Sequence, residues 1–184
     1  MPYQQVNPFR VPVGAARYDC FASGSATGTL LLPEATVIFS PIIATEPEHW
    51  SQVSLNVTLA GTSGSVVRAW LINDDGFGRP WGPLVDLGTQ STTSTGAKTW
   101  SIPGGNQAVG AGYYHIGFAT QGGAATRCTV STLTNFIPNA GYIGWITTAT
   151  ISGAKSTAFT STDTTTIAQG TARPYSGVTV LSRP

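Results

Sequence analysis

The stretch VSLNVTL, residues 53–59, most constrains what this chain can fold into. Val53, Leu55, Val57 and Leu59 alternate without interruption with Ser54, Asn56 and Thr58. A period of two sorts these sets onto opposite faces only if the backbone is extended, so the segment predicts a strand with one buried face. Nowhere does the chain carry a long run with the 3.6-residue apolar spacing of an amphipathic helix. Short strand-like runs instead recur at residues 29–32, 36–39, 42–44, 65–72, 99–102, 113–120, 127–130, 142–148 and 178–181. Gly, Ser and Pro separate them, which is the punctuation of a sandwich or barrel.

Composition supports the same class. Charged residues make up 9% of the chain, against about a quarter in an average protein, and Thr, Ser and Gly fill the gap. Hydrophobic residues stand at 41%, too many for a disordered chain. A length of 184 residues suits one core and one domain. The expectation is an all-β body at residues 19–184, preceded by an extended arm at residues 1–18. That arm holds Pro2, Pro8 and Pro12, which rule out helix and disfavour a central strand. Tyr3, Val6, Phe9 and Val11 between them are apolar, so the arm is expected to anchor against its own domain or a neighbouring subunit. The Ser/Thr-biased residues 156–171 read as a surface excursion before the last strand.

The net charge of +1 comes with basic residues scattered singly, not clustered as a nucleic-acid or anionic-membrane surface requires. No window approaches 18 uninterrupted apolar residues, so no spanning helix is expected. The opening MPYQQVNPFRVPVG lacks the basic and apolar regions of a signal peptide, and synthesis in a cytoplasm is expected. Cys20 and Cys128 have no metal-ligand spacing; they read as two small buried hydrophobes, or as a disulfide joining distant parts of the chain.

Candidate chemistry is sparse. In LINDDGFGRPWGPLVDLGT, residues 71–89, Asn73, Asp74 and Asp75 are consecutive and no terminal Glu follows, unlike a calcium loop between helices. Asn, Asp and Gly are also the residues of tight turns, and a turn is the reading here, with GRPWGP as the next corner. The acids sit mostly beside Pro or Gly, so a catalytic pair of carboxylates is not indicated. His49, in the expected loop EPEHW, and His115, in the strand YYHIGFAT, have no local partner. No nucleophile elbow or phosphate loop is present, and no cofactor, metal site or enzymatic activity is expected. The five tryptophans are mostly expected as core. Trp81, in the loop RPWGP, and Trp50 are the candidates for stacking on a sugar ring or filling a subunit interface.

Several segments together resemble a jelly-roll domain of tailed-bacteriophage structural proteins. They are SLNVTLAGTSGSVVRAWLIND, GFGRPWGPLVDLGT, and TSTGAKTWSI leading to AGYYHIGFATQG. The upstream VIFSPIIA and the final PYSGVTVL also stand where that family has strands, so the resemblance spans residues 18–184. Residues 156–171 and the Pro-rich arm depart from it. The resemblance implies a jelly-roll β-sandwich and a non-enzymatic virion protein: a capsid decoration, head-spike or fibre-base subunit, trimeric and bound to other virion proteins. Its alternative implication is a tail-fibre or baseplate module that recognises host surface polysaccharide. A carbohydrate-binding module and a glycan-degrading enzyme are the readings from other classes.

Overall fold

The computed structural model describes residues 16–18, 28–122, 126–133, 144–148, 150–154, 159–160, 163–167, 173–174 and 176–183. These form two antiparallel sheets and no helix beyond the 3-10 turn Pro103–Gly105. None of the described residues belongs to a helix long and apolar enough to cross a membrane.

The larger sheet is built around one long strand, β4 (Glu48–Leu59). On one edge β4 carries β7 (Gly96–Ser101) and β8 (Gln107–Val109). On the other it carries β14 (Ser176–Ser182) and β10 (Thr129–Leu133). Strand β1 (Ala16–Tyr18) adds to β14, while β2 (Gly28–Leu31) and β13 (Arg173–Pro174) add to β10. The smaller sheet runs β12 (Thr164–Ile167), β11 (Gly144–Thr147), β3 (Ile38–Ala44), β9 (Gly112–Gln121), β5 (Val66–Asp74) and β6 (Pro80–Ser91).

The alternation in VSLNVTL sets the main core. Val53, Leu55 and Val57 are buried, and they meet Val67, Ala69, Leu71, Ile116 and Phe118 from the smaller sheet. Trp100 tilts against Phe118 at 5.7 Å, and Trp50 meets Tyr114 edge-on at 5.1 Å. Leu59 breaks the pattern: it continues the apolar phase but lies at the strand's end and is exposed.

Strands β5 and β9 are buried on both faces, because the smaller sheet has a second core on its outer side. Val37, Phe39, Trp70, Ile72, Ala119 and Phe159 form it, with Ile151 packed alongside. Residues 150–154 are fastened across the sheet by Ile151 N donating to Ala35 O, and by Gln121 Nε2 donating to the carbonyls of Ile151 and Gly153. Gly117 makes the layer possible, since a Cβ there would lie 2.7 Å from Val37 Cγ1 and 3.0 Å from Phe39 Cε1.

Several expectations change. The runs at 36–39 and 42–44 are not two strands: β3 passes straight through Pro41. Among the described residues, its partner β11 pairs with Ile38 and Phe39, while on the other side Pro41 is registered opposite His115 of β9. Residues 80–91, expected to open on a corner, form a twelve-residue strand at the sheet's edge. Two register shifts against β5 absorb its Gly and Pro residues. Only the first two residues of EPEHW form the connection, because β4 begins at Glu48. Part of the expected excursion at 156–171 is β12, and Phe159 within it is core. The expected arm ends inside the sheet, with Ala16–Tyr18 as β1; Tyr3, Val6, Phe9 and Val11 lie outside the described residues.

Cys128 is a buried free thiol, and burial pushes its pKa above the ordinary value despite the neighbouring Thr92 hydroxyl. Cys20 lies outside the described residues. A raised pKa and an occluded sulfur both suppress the reactive thiolate. In a Cys20→Ser variant, Cys128 is expected to react with an alkylating reagent only as fast as the protein opens. Rapid stoichiometric labelling of the folded protein at pH 7.5, read by mass spectrometry, would contradict this burial.

Candidate functional site

The β5–β6 connection is a rigid loop built from its own aspartates. Asp74 Oδ1 accepts from the amides of Gly76 and Gly78, at 2.7 and 2.9 Å. Asp75 Oδ1 accepts from the amides of Phe77 and Arg79, at 2.8 and 3.2 Å, and Asp75 N donates to Arg79 O. Gly76 and Gly78 have φ of 87° and 85°, which a side chain would strain. The aspartates therefore turn the chain, as their spacing predicts.

Asp74 also does what no local pattern announces. Its Oδ2 pairs with His115 Nε2 at 2.8 Å, and both side chains are buried. Residue 115 sits on β9 opposite Pro41 on one side and Ile72 on the other, which brings the ring beside the end of β5. Burial pushes the Asp74 carboxyl up, but the His115 hydrogen bond, the Gly78 amide, the His115 charge and the Gly76 amide together hold it below its ordinary value. The pair locks the loop to the sheet.

Beside the loop an open cleft of about 360 Å³ lies between Asn73, Asp74 and Gly76 on one side and residues 111–114 on the other. Tyr113 lines it and is 43% exposed. Tyr114 is fixed by its hydroxyl, which donates to Gly110 O at 3.1 Å, and by its ring against Trp50. Phe77, at the loop tip next to Gly76, is 92% exposed. Trp81 is 42% exposed and is the cross-strand partner of Asn73, whose other partner is Tyr114. Trp81, Asn73 and Tyr114 thus form one row across β6, β5 and β9.

Trp50 does not belong to this surface. It is 0% exposed, and its Nε1 donates to Glu48 Oε2 at 2.8 Å within the core, so its ring can touch neither glycan nor subunit. Several of the described acids are used structurally. Arg68 grips Asp86 through Nε and Nη2 at 2.9 Å, and Arg183 reaches Glu46 at 2.6 Å and Glu48 at 3.4 Å. Asp163 caps Thr160 through its amide and hydroxyl. His49 Nδ1 bonds Ser182 Oγ at 2.9 Å. Among the described residues, no three His, Cys, Asp or Glu side chains gather where they could hold a metal.

Sequence reading found Trp81 but not Tyr113, Phe77 or Asn73. A phenylalanine between two glycines in an acidic turn was the legible signal, since such a turn has no core to offer it. Tyr113 carried no signal, because it shares the alternation phase of the buried His115 and only its place at the strand's start exposes it.

Fold and surface together define an all-β protein of two antiparallel sheets with a cluster of exposed aromatics at one end. Compared with known proteins, the chain matches no family model, and no curated protein matches it.

Proposed function

We propose that this protein is a non-enzymatic structural component of a phage or phage-like virion. It is a jelly-roll capsid decoration, head-spike or fibre-base subunit that assembles on the particle as a homotrimer. The observation that carries the reading is the nesting of strand pairs. With β1, β3, β4, β5, β6, β7, β9 and β14 counted first to eighth, the first pairs with the eighth, the second with the seventh, the third with the sixth and the fourth with the fifth. The pairs β14–β4 and β9–β5 join these into two four-strand layers. That nesting of eight of the fourteen strands supports the jelly-roll reading, an architecture common to viral capsid and lectin domains. It also ties β1 and β14 into one sheet, so neither strand leaves without breaking the other's ladder. The low charge favours close packing against other subunits, and the segment before β1, with Tyr3, Val6, Phe9 and Val11, is the proposed anchor.

Electron microscopy of particles made with and without this gene product tests the reading. Its deletion is expected to remove one protruding density from the head, and light scattering of the purified protein is expected to give three times the chain mass. A protein that is monomeric and missing from purified particles would sink the proposal.

The exposed aromatics favour a second reading, a tail-fibre or baseplate module that binds host surface glycans through Trp81. Capsule pull-down lost in Trp81→Ala, together with a tail location in the micrographs, would select it over the first.

A further inference from the structure

The β5–β6 loop presents one residue in a way that turning the chain does not require. Phe77 is 92% exposed, yet the backbone that carries it is fixed. The amides of Gly76, Phe77, Gly78 and Arg79 all donate to the carboxylates of Asp74 and Asp75, and Asp74 is pinned to His115 on β9. Gly76 and Gly78, on either side of the ring, have φ of 87° and 85°. The loop therefore holds a large apolar ring in water, where no burial rewards it.

A loop built this way fits a shaped pocket. Its ring is placed before contact, so little ordering is lost on binding. Its four amides are already bonded, so water can leave the tip without stranding a donor. A fluid bilayer has no use for a fixed ring, and Asp75 would carry its charge toward the hydrocarbon. A single well-placed aromatic seated in a desolvated pocket is instead the usual centre of a protein–protein contact.

Topology says whose pocket. Strand β1 enters the larger sheet at this same end. Ala16 is registered with Thr179 and Tyr18 with Gly177, while β14 runs on to Ser182, opposite His49 at the start of β4. One residue further, Trp50 touches Tyr114, whose strand neighbour Asn73 stands at the base of the loop. Residues 1–15, part of the segment assigned above as the anchor, thus join the body at the end that presents Phe77.

We propose that Phe77 is a second attachment point: it plugs a ring-sized apolar pocket in the same particle protein to which the segment before β1 anchors. The inference rests on the virion reading and adds to it the contact that sets fit. The segment supplies reach, and the rigid ring supplies shape.

The test adds purified full-length protein to particles assembled without this gene product and measures the bound protein by co-sedimentation across a titration. Wild type is expected to saturate. Phe77→Ala is expected to bind about 30-fold more weakly, equivalent to about 2 kcal/mol, and Phe77→Leu to recover most of that loss. In Gly76→Ala the ring is kept and the added Cβ meets nothing within 4 Å, so only the backbone preference of the loop changes. That variant is expected to bind several-fold more weakly. Unchanged binding by Phe77→Ala at intact circular dichroism overturns the proposal. So does a Phe77→Ala protein that loses its own trimer in light scattering, since the ring would then serve a second copy. Wild type that binds no such particle refutes the virion reading itself, which tells the two failures apart.

Discussion

Phe159→Ala is expected to cost about 3–5 kcal/mol of unfolding free energy, the range for emptying a buried aromatic site. Phe159 is fully buried and stands edge-on to both Phe39 and Trp70, with ring centroids 5.1 and 6.2 Å away. Removing it leaves two large rings facing a void, and the sheet beneath them cannot close that void, because its other face is held by the main core. The melting temperature is expected to fall by roughly 10 °C, and Trp70 emission to shift to the red as water reaches the ring. Phe159→Leu, which fills part of the site, is expected to restore more than half of the loss. A loss under about 1 kcal/mol in chemical denaturation would mean that the outer layer is not part of the cooperative unit.

Asp74→Ala is expected to cost about 3 kcal/mol, because it strips a buried histidine of its partner and releases two loop amides at once. Asp74→Asn keeps the shape and an acceptor for Gly76 and Gly78, so it is expected to cost less. The pH dependence separates charge from shape. The carboxyl's folded pKa lies below its unfolded value near 3.8, so its stabilisation is complete above that value and disappears as pH falls through the folded pKa. The stability gap between wild type and Asp74→Asn is therefore expected to shrink as pH falls below about 4. Hydrogen exchange at Gly76 and Gly78 is expected to accelerate in both variants. A gap that does not shrink as pH falls below about 4 would contradict an ionised Asp74 in the folded protein.

How much of this was legible in the sequence depends on how far apart the responsible residues lie. VSLNVTL is read correctly because a strand's two faces are encoded by neighbours, and its apolar phase is the one that enters the core. The turn at Asp74–Gly78 is read correctly because each bond spans two or four residues. Pro41 and the edge strand Pro80–Ser91 were harder. Proline and glycine argue against a strand locally, and only the register of the neighbouring strands shows that the chain stays extended there. Phe159 stands out as an apolar anchor in a segment read as a surface excursion, but its core position was not legible for a related reason: one aromatic in a Ser/Thr-rich segment has no periodicity, and its burial is decided by a layer formed from β3, β5 and β9. Trp50 and Trp81 are alike in composition terms and opposite in the fold, since one points between the sheets and the other stands at an edge.

The sequence by itself determined an all-β chain, the phase of its main strands and the turn made by its paired aspartates, because local sterics and local hydrogen bonds decide these. Only the tertiary structure decided that Asp74 meets His115 across 41 residues, that Phe159 closes a second core, and that Tyr113 stays open to solvent. Each of those depends on which strands become neighbours, and that choice is made by the burial of the whole chain at once.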